Sequence, residues 1–451
     1  MNILVINGSP KGSRSVTMQT VYYLQILHPE HTFTELHVGQ RIKALEKDFS
    51  PALEALNQAD VLLFTYPVYT FIAPSQLHRF IELVKASGVD LSGKFASQIT
   101  TSKHFYDITA HRYIQDNCGD LGLKYIHGLS ADMDDLTTKR GQQEADGFFK
   151  HLCWSIGNNI YEPAAAPIPA HDPKPVTVPE TPYEKGGEVV IVADLQEDDT
   201  QLAAMVERFR ANCGRKTRVV NIRKYPFRGG CLGCFGCAVS GKCIYTDGFD
   251  EYLRTRIQTA SAIVYAFRIS DHSMGSRFKM YDDRNFCNGH RTVTIGMPIG
   301  YLISGSYAQE TNLQTVIQAR AEVGHNCLAG IATDEICPDT AIDNLCAQLN
   351  YALDNKYLLP QNFYGIGGMK VFRDLIWLMQ GMMRADHKFY KAQGQYDFPQ
   401  KKWPQMVAMY AVGAMLGNEK LKKKMPANAM SDGMLMPYAK VLAEARQAQE
   451  K

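Results

Sequence analysis

The constraint that most limits how this chain can fold is an internal repeat. EVVIVADL (188–195) matches the pattern of NILVINGS (2–9) at an offset of 186 residues, and TASAIVYAFRI (259–269) matches QADVLLFTYPV (58–68) at an offset of 201. Short apolar runs of this kind, bounded by turn residues, read as buried parallel strands. A chain that repeats them must build one α/β unit twice. The two offsets differ by fifteen residues, which predicts an insertion between the first and third strands of the second copy.

The first copy supplies the rest of the pattern. The turn GSPKGSRSVT leads into the helical stretch TMQTVYYLQIL, and ADVLLFTYPVY stops at Pro67. PSQLHRFIELVKA restarts as a helix with Pro74 near its first turn, and FASQITTS gives another strand. Alternating strands and helices imply a doubly wound parallel sheet. The prolines of EPAAAPIPAHDPKPVTVPETPYEKGG forbid helix and central strand, so this segment reads as an interdomain linker. The expected organisation is a first α/β domain at 1–161, a linker at 162–187, a second α/β domain at 188–355 and a helical extension at 356–451. Eleven of the eighteen methionines fall between Met369 and Met436. They suit either adaptable packing on the core or a wall over an apolar site.

A chain of 451 residues exceeds what one core usually serves. Its formal net charge of +2 gives no reason to expect nucleic acid or an anionic membrane as partner. MNILVINGSP lacks the basic start and cleavage site of a secretory signal, and MVAMYAVGAMLG is too short to span a bilayer. Eleven cysteines, an odd number, suit a reducing cytoplasm better than a disulfide framework.

Four of those cysteines, Cys231, Cys234, Cys237 and Cys243, fall within thirteen residues as C-x2-C-x2-C-x5-C. Three thiolates at two-residue gaps with a fourth nearby suit a [4Fe-4S] cube, whereas zinc sites more often use two separated pairs. Zinc and plain reduced thiols remain the alternatives. Glycines between the cysteines permit sharp backbone reversals. The motif lies in the insertion predicted above.

The turn Gly8–Thr17 follows a strand and opens a helix, so N–H groups, hydroxyls and the positive helix end converge there, as a phosphate requires. It is neither a dinucleotide fingerprint nor a P-loop. Pro67, Val68, Tyr69 and Thr70 end the next central strand at the sheet edge where open α/β sheets bind ligands, and an aromatic there suits a flat ring.

NGSPKGSRSVT with YPVYTFIAPSQLHRFIE resembles the NADPH-dependent FMN reductase branch of the flavodoxin-like superfamily. GGCLGCFGCAVSGKCIYTDGFDEY resembles the compact cysteine motif of iron-sulfur flavoproteins. The resemblance covers residues 1–350 and implies FMN, a [4Fe-4S] cluster and NAD(P)H as co-substrate. By position it assigns the phosphate to Ser9, Lys11, Ser13, Ser15 and Thr17, and the isoalloxazine ring to Pro67, Val68, Tyr69 and Thr70. A third loop comprises Thr100, Thr101, Ser102 and Lys103. It assigns Cys231, Cys234, Cys237 and Cys243 to the cluster. Single-domain members join FMN and cluster across a subunit interface, which the tandem repeat would build within one chain.

The second copy departs from the pattern. Glu197, Asp198 and Asp199 replace the phosphate-loop hydroxyls, so this copy is expected to have lost FMN. His104, Asp107 and His111 share a helical spacing but read better as a polar face than as metal ligands. Asp282, Asp283 and Arg284 read as structural ion pairs. His387, Tyr390, Tyr396 and Asp397 are weaker candidates for a proton donor. The remaining cysteines read as buried small residues.

The expected fold is therefore two tandem flavodoxin-like domains with a C-terminal helical extension. The expected function is a cytoplasmic FMN and [4Fe-4S] oxidoreductase passing electrons from NAD(P)H or ferredoxin to a small organic or protein acceptor. The alternatives are a non-catalytic electron carrier and a redox sensor. The sequence leaves oligomeric state open.

Overall fold

The computed structural model describes residues 1–418, 420, 426 and 429–449. They divide into a large unit, Met1–Tyr390, and a small one, Lys391–Lys451. The large unit contains two parallel sheets. The first copy runs β1 (Asn2–Asn7), α1 (Val16–Leu27), β2 (Thr32–Leu36), α2 (Val38–Leu45), α3 (Ser50–Gln58), β3 (Val61–Pro67) and α4 (Ser75–Ser87). It continues through β4 (Phe95–Ser102), α5 (Asp107–Asp120), β5 (Lys124–Tyr125), β6 (Leu129–Asp132) and α6 (Lys139–Gly157). The second runs β7 (Lys185–Ala193), α7 (Thr200–Asn212), β8 (Thr217–Asn221), α8 (Gly236–Ser240), α9 (Phe249–Tyr252), β9 (Ala262–Arg268) and α10 (Gly275–Arg284). It closes with β10 (Pro298–Ser304), α11 (Thr311–Val323), β11 (Cys327–Thr333) and α12 (Pro338–Asp354). Two further helices, α13 (Phe363–Leu378) and α14 (Arg384–Ala392), follow. The small unit holds helices Trp403–Gly417 and Ala429–Gln449. None of the helices among the described residues is long and apolar enough to cross a membrane.

The first sheet has the order β2-β1-β3-β4-β5, with β6 also pairing β4, and the second the order β11-β10-β9-β7-β8. Numbered within each copy, both are 2-1-3-4-5, the flavodoxin-like order. The fold is α/β and flavodoxin-like, built twice. The continuous apolar runs make this possible, because every strand pair is parallel and both faces of each sheet are covered. One face of the first sheet packs against α1 and α6, and one face of the second against α7 and α12. The remaining two faces, with the helices between them, share one continuous core.

The copies meet through α4 and α10 with near two-fold symmetry. The Ser75 N–H donates to Asp283 Oδ2 at 2.8 Å, and the Ser276 N–H, 201 positions on, donates to Glu82 Oε1 at 2.7 Å. Such reciprocity defines an isologous interface. The loops after β3 and β9 also share a left-handed turn, with Thr70 and Phe71 at φ 43° and 78°, and Asp271 and His272 at 49° and 59°.

The proline-rich segment is strapped to the second copy rather than free. The Lys174 N–H donates to Asp334 O, the Thr177 N–H to Asp339 Oδ1, and Arg208 Nη1 to Thr177 O. Strand β7 starts at Lys185, inside the segment expected to be linker, because pairing with β8 extends to Lys185 opposite Thr217.

Candidate functional site

A cavity of about 350 Å³ lies where the carboxyl edge of the first sheet meets the insertion between β8 and β9. From the first copy Ser9, Lys11, Ser15, Pro67, Val68, Tyr69, Thr70, Thr101 and Ser102 line it. From the second come Cys231, Cys234, Cys237 and Cys243. Two residues of the phosphate loop fall elsewhere. Ser13 lies exposed on the one-turn helix Gly12–Arg14, and Thr17 is buried behind the wall, its hydroxyl 2.6 Å from that of Thr101. Thr100 is also buried and bonded to His111 Nε2 at 2.8 Å. Lys103 lines the cavity while paired to Asp132 and Asp134.

The loop before α1 is shaped by Gly12 at φ 56° and by the close approach of Gly39, where a Cβ would collide with Ser9 backbone. Ser15 precedes α1 in extended conformation, is 3 % exposed, and its side chain does not cap the helix. Its hydroxyl and the first N–H groups of α1 are therefore available to an anion.

The cysteine loop is held by three arginines, of which Arg284 is fully buried. Arg284 forms a two-pronged pair with Asp247 at 2.7 and 2.8 Å and donates to Gly229 O. Burial pushes the Asp247 carboxyl up, but Arg284 and the N–H groups of Arg228 and Phe249 outweigh this and hold it down at about 2. Arg254 donates to Gly241 O and Cys287 O, and Arg291 to Cys237 O. From the first copy, Lys43 reaches Arg228 O, and Lys11 Nζ lies 5.4 Å from the Phe235 ring centre. Gly233, at φ 59°, is where the loops touch: a Cβ there would overlap the Tyr69 hydroxyl.

All eleven cysteines are free. Burial pushes the Cys231 thiol up to about 12 and Cys237 to about 11, so without a metal both stay protonated. Among the described residues, no group of three or more His, Cys, Asp or Glu is arranged to hold a metal ion. Four thiols around one cavity, with Arg254, Arg284 and Arg291 nearby, still match a thiolate-ligated cluster in donor chemistry, since a cube takes one thiolate per iron rather than four around a single ion. The loop hydroxyls and ammonium likewise match a phosphate.

Several site residues escaped the sequence reading. Cys287, buried and pushed up to about 12 by burial, lines the same cavity. So does His290, whose Nδ1 lies 2.9 Å from Asp386 Oδ2, with Arg291 on the other carboxylate oxygen. Val371, Phe372 and Leu375 of α13 complete a wall. None of these carried motif spacing. Among the expected proton donors, Tyr390 is buried with its hydroxyl on His290 O, His387 is not among the cavity-lining residues, and Tyr396 and Asp397 belong to the small unit. His104 pairs with Asp107, and His111, pushed down to about 4 by burial, bonds Thr100, so the three do not converge. Asp282, Asp283 and Arg284 form ion pairs with Arg320, Lys279 and Asp247, as expected.

In the second copy the corresponding loop is closed by charge pairing. Asp194 stands where the first copy has Gly8, pairs with Arg223 at 2.6 Å, and is pushed up to about 6 by burial. Asp199 precedes α7, its pKa also raised by burial.

Residues 1–145 match the family described as Flavodoxin-like fold. Among solved structures, an FMN-dependent NADH-azoreductase from Bacillus anthracis is similar at 15 % identity, covering 34 % of this chain and 98 % of its own, with a TM-score of 0.28. An NAD(P)H:quinone oxidoreductase from Methanothermobacter marburgensis is similar at 12 %, covering 37 % and 99 %, with a TM-score of 0.28. No curated protein sequence matches the chain.

Proposed function

We propose that the chain is an oxidoreductase that holds FMN on its first copy and a [4Fe-4S] cluster on its second, passing electrons from NAD(P)H or ferredoxin to a small organic or protein acceptor. The observation carrying this reading is the shared cavity, in which the phosphate-type loop, the Pro67–Thr70 loop and four cysteines meet. When bound, FMN would supply two-electron acceptance and one-electron release, and the cluster single-electron transfer. Ser9, Lys11 and Ser15 would hold the phosphate, with Ser13 at the rim and Thr17 fixing Thr101 from behind. Pro67, Val68, Tyr69, Thr70 and Ser102 would border the ring. Cys231, Cys234, Cys237 and Cys243 would ligate the cluster, each giving up a thiol proton. Asp194 and Asp199 argue for a single flavin, on the first copy.

The test is anaerobic reduction of the full chain as purified. Flavin absorbance should bleach with NADH, NADPH or reduced ferredoxin and recover on adding a quinone. Bleaching by ferredoxin alone, without multiple turnover, would favour an electron carrier. No bleaching by any donor would end the oxidoreductase reading.

A further inference from the structure

One end of the cavity belongs to the second copy and holds polar atoms without partners. The Tyr301 hydroxyl, Asp282 Oδ2 and Arg320 Nε have no hydrogen-bond partner within the protein, and all three residues line the cavity. Tyr301 and Asp282 are only 2 % and 3 % exposed. Folded proteins leave few such atoms unmatched, so a cluster of them in one cavity needs an explanation. Neighbouring groups are already engaged elsewhere: Asp283 with Thr70 and Ser75, Arg284 with Asp247.

We propose that this end of the cavity binds a small, neutral aromatic ketone that also carries a hydroxyl group. The Arg320 guanidinium pairs with the Asp282 carboxylate, and Lys279, paired to Asp283, lies 3.7 Å from Asp282 Oδ2, so two cations and two carboxylates cancel and the pocket offers no net charge to a ligand. A carbonyl accepts from Arg320 Nε–H and from the Tyr301 hydroxyl, which burial keeps protonated and able to donate. A ligand hydroxyl donates to Asp282 Oδ2. The apolar wall comes from Ile263 and Ile299, and from Tyr265, whose ring centre lies 5.3 Å from that of Tyr301. Arg320 also lies over Phe71, 5.1 Å from its ring centre, which joins this pocket to the loop after β3. Binding here does not depend on the flavin reading; only the ligand's role as electron acceptor would.

Calorimetric titration of the full chain with para-hydroxyacetophenone tests the assignment. The parent should bind it, and Tyr301→Phe, which keeps the ring and removes one hydroxyl, should bind about tenfold more weakly at an unchanged melting temperature. Asp282→Asn should weaken binding in the same sense and replaces Tyr301→Phe as the comparison if the latter melts early. para-Hydroxybenzoate, the same ring with a carboxylate, should bind more weakly than the ketone. Tighter binding of the benzoate would mean that the site reads an anion. Absence of heat with both compounds would mean that water alone satisfies these groups, and unchanged affinity in Tyr301→Phe would place the ligand elsewhere. Each of these results overturns the proposal. Flavin absorbance of the same samples reports the separate question of FMN.

Discussion

His78 on α4 places its Nδ1 2.7 Å from Oδ2 of Asp271, in the loop after β9 of the other copy. The residues 201 positions from each, Lys279 and Thr70, are also bonded to one another. The pair is fully buried, and Asp271 also accepts from the Tyr113 hydroxyl at 2.7 Å. The interface is thus that of a symmetric dimer drawn into one chain, with its two halves free to diverge. One half is acidic around Asp194 and Asp199, while the other carries the hydroxyl loop.

Removing one partner of a buried pair leaves the other short of a hydrogen bond. His78→Ala should therefore cost about 3 kcal/mol in urea unfolding, and the double variant His78→Ala with Asp271→Ala should cost less than the two single effects added. Additive effects would show that the pair does not couple the copies.

His272, which bridges the copies from the second, sits between Asp120 at 2.9 Å and Glu310 at 3.1 Å. Burial acts to lower its pKa, but the two carboxylates outweigh burial and raise it to about 9. A raised pKa stabilises the fold fully below the unfolded value of about 6.5, and that contribution disappears as pH climbs through about 9. His272→Gln should lower stability by about 2 kcal/mol near pH 6 and by little near pH 10. A gap that stays constant over this range would contradict the assignment.

For the phosphate loop, Ser15→Ala should weaken FMN binding to flavin-stripped protein about tenfold, the cost of one charged hydrogen bond. Ser13→Ala should have a smaller effect, since Ser13 is exposed at the rim and does not line the cavity. Flavin fluorescence quenching measures both. Equal losses would place the phosphate further out on the loop.

Gly233→Ala should disturb both halves of the site, because the residue is left-handed and packs against the Tyr69 hydroxyl. The variant is expected to retain less iron and to shift the flavin absorbance bands. Normal iron content with unshifted bands would separate the two loops.

The repeat was legible because buried parallel strands write themselves as uninterrupted apolar runs, and the insertion followed from unequal offsets. What stayed hidden was whatever tertiary packing alone assembles. Cys287, His290 and Arg320 reach the cavity from α10, α11 and the loops beside them, with no local spacing to mark them. Ser13 and Thr17 lie off the cavity wall for a local reason: the chain makes a three-residue helical turn at Gly12–Arg14 before α1, which leaves Ser13 exposed and Thr17 buried behind the wall. Composition alone assigns α13 to the extension; the packing that brings Phe372 onto Phe105 at 4.2 Å, and to the cavity, has no local mark in the sequence.

In the proposed function one chain joins a single flavin to a cysteine-bound cluster across an internal two-fold. Its most direct test counts flavin, iron and acid-labile sulfide per chain after anaerobic purification. We expect one FMN with four irons and four sulfides, the metal lost and the flavin kept when Cys234 is replaced by alanine. One zinc without sulfide, or two flavins per chain, would contradict it.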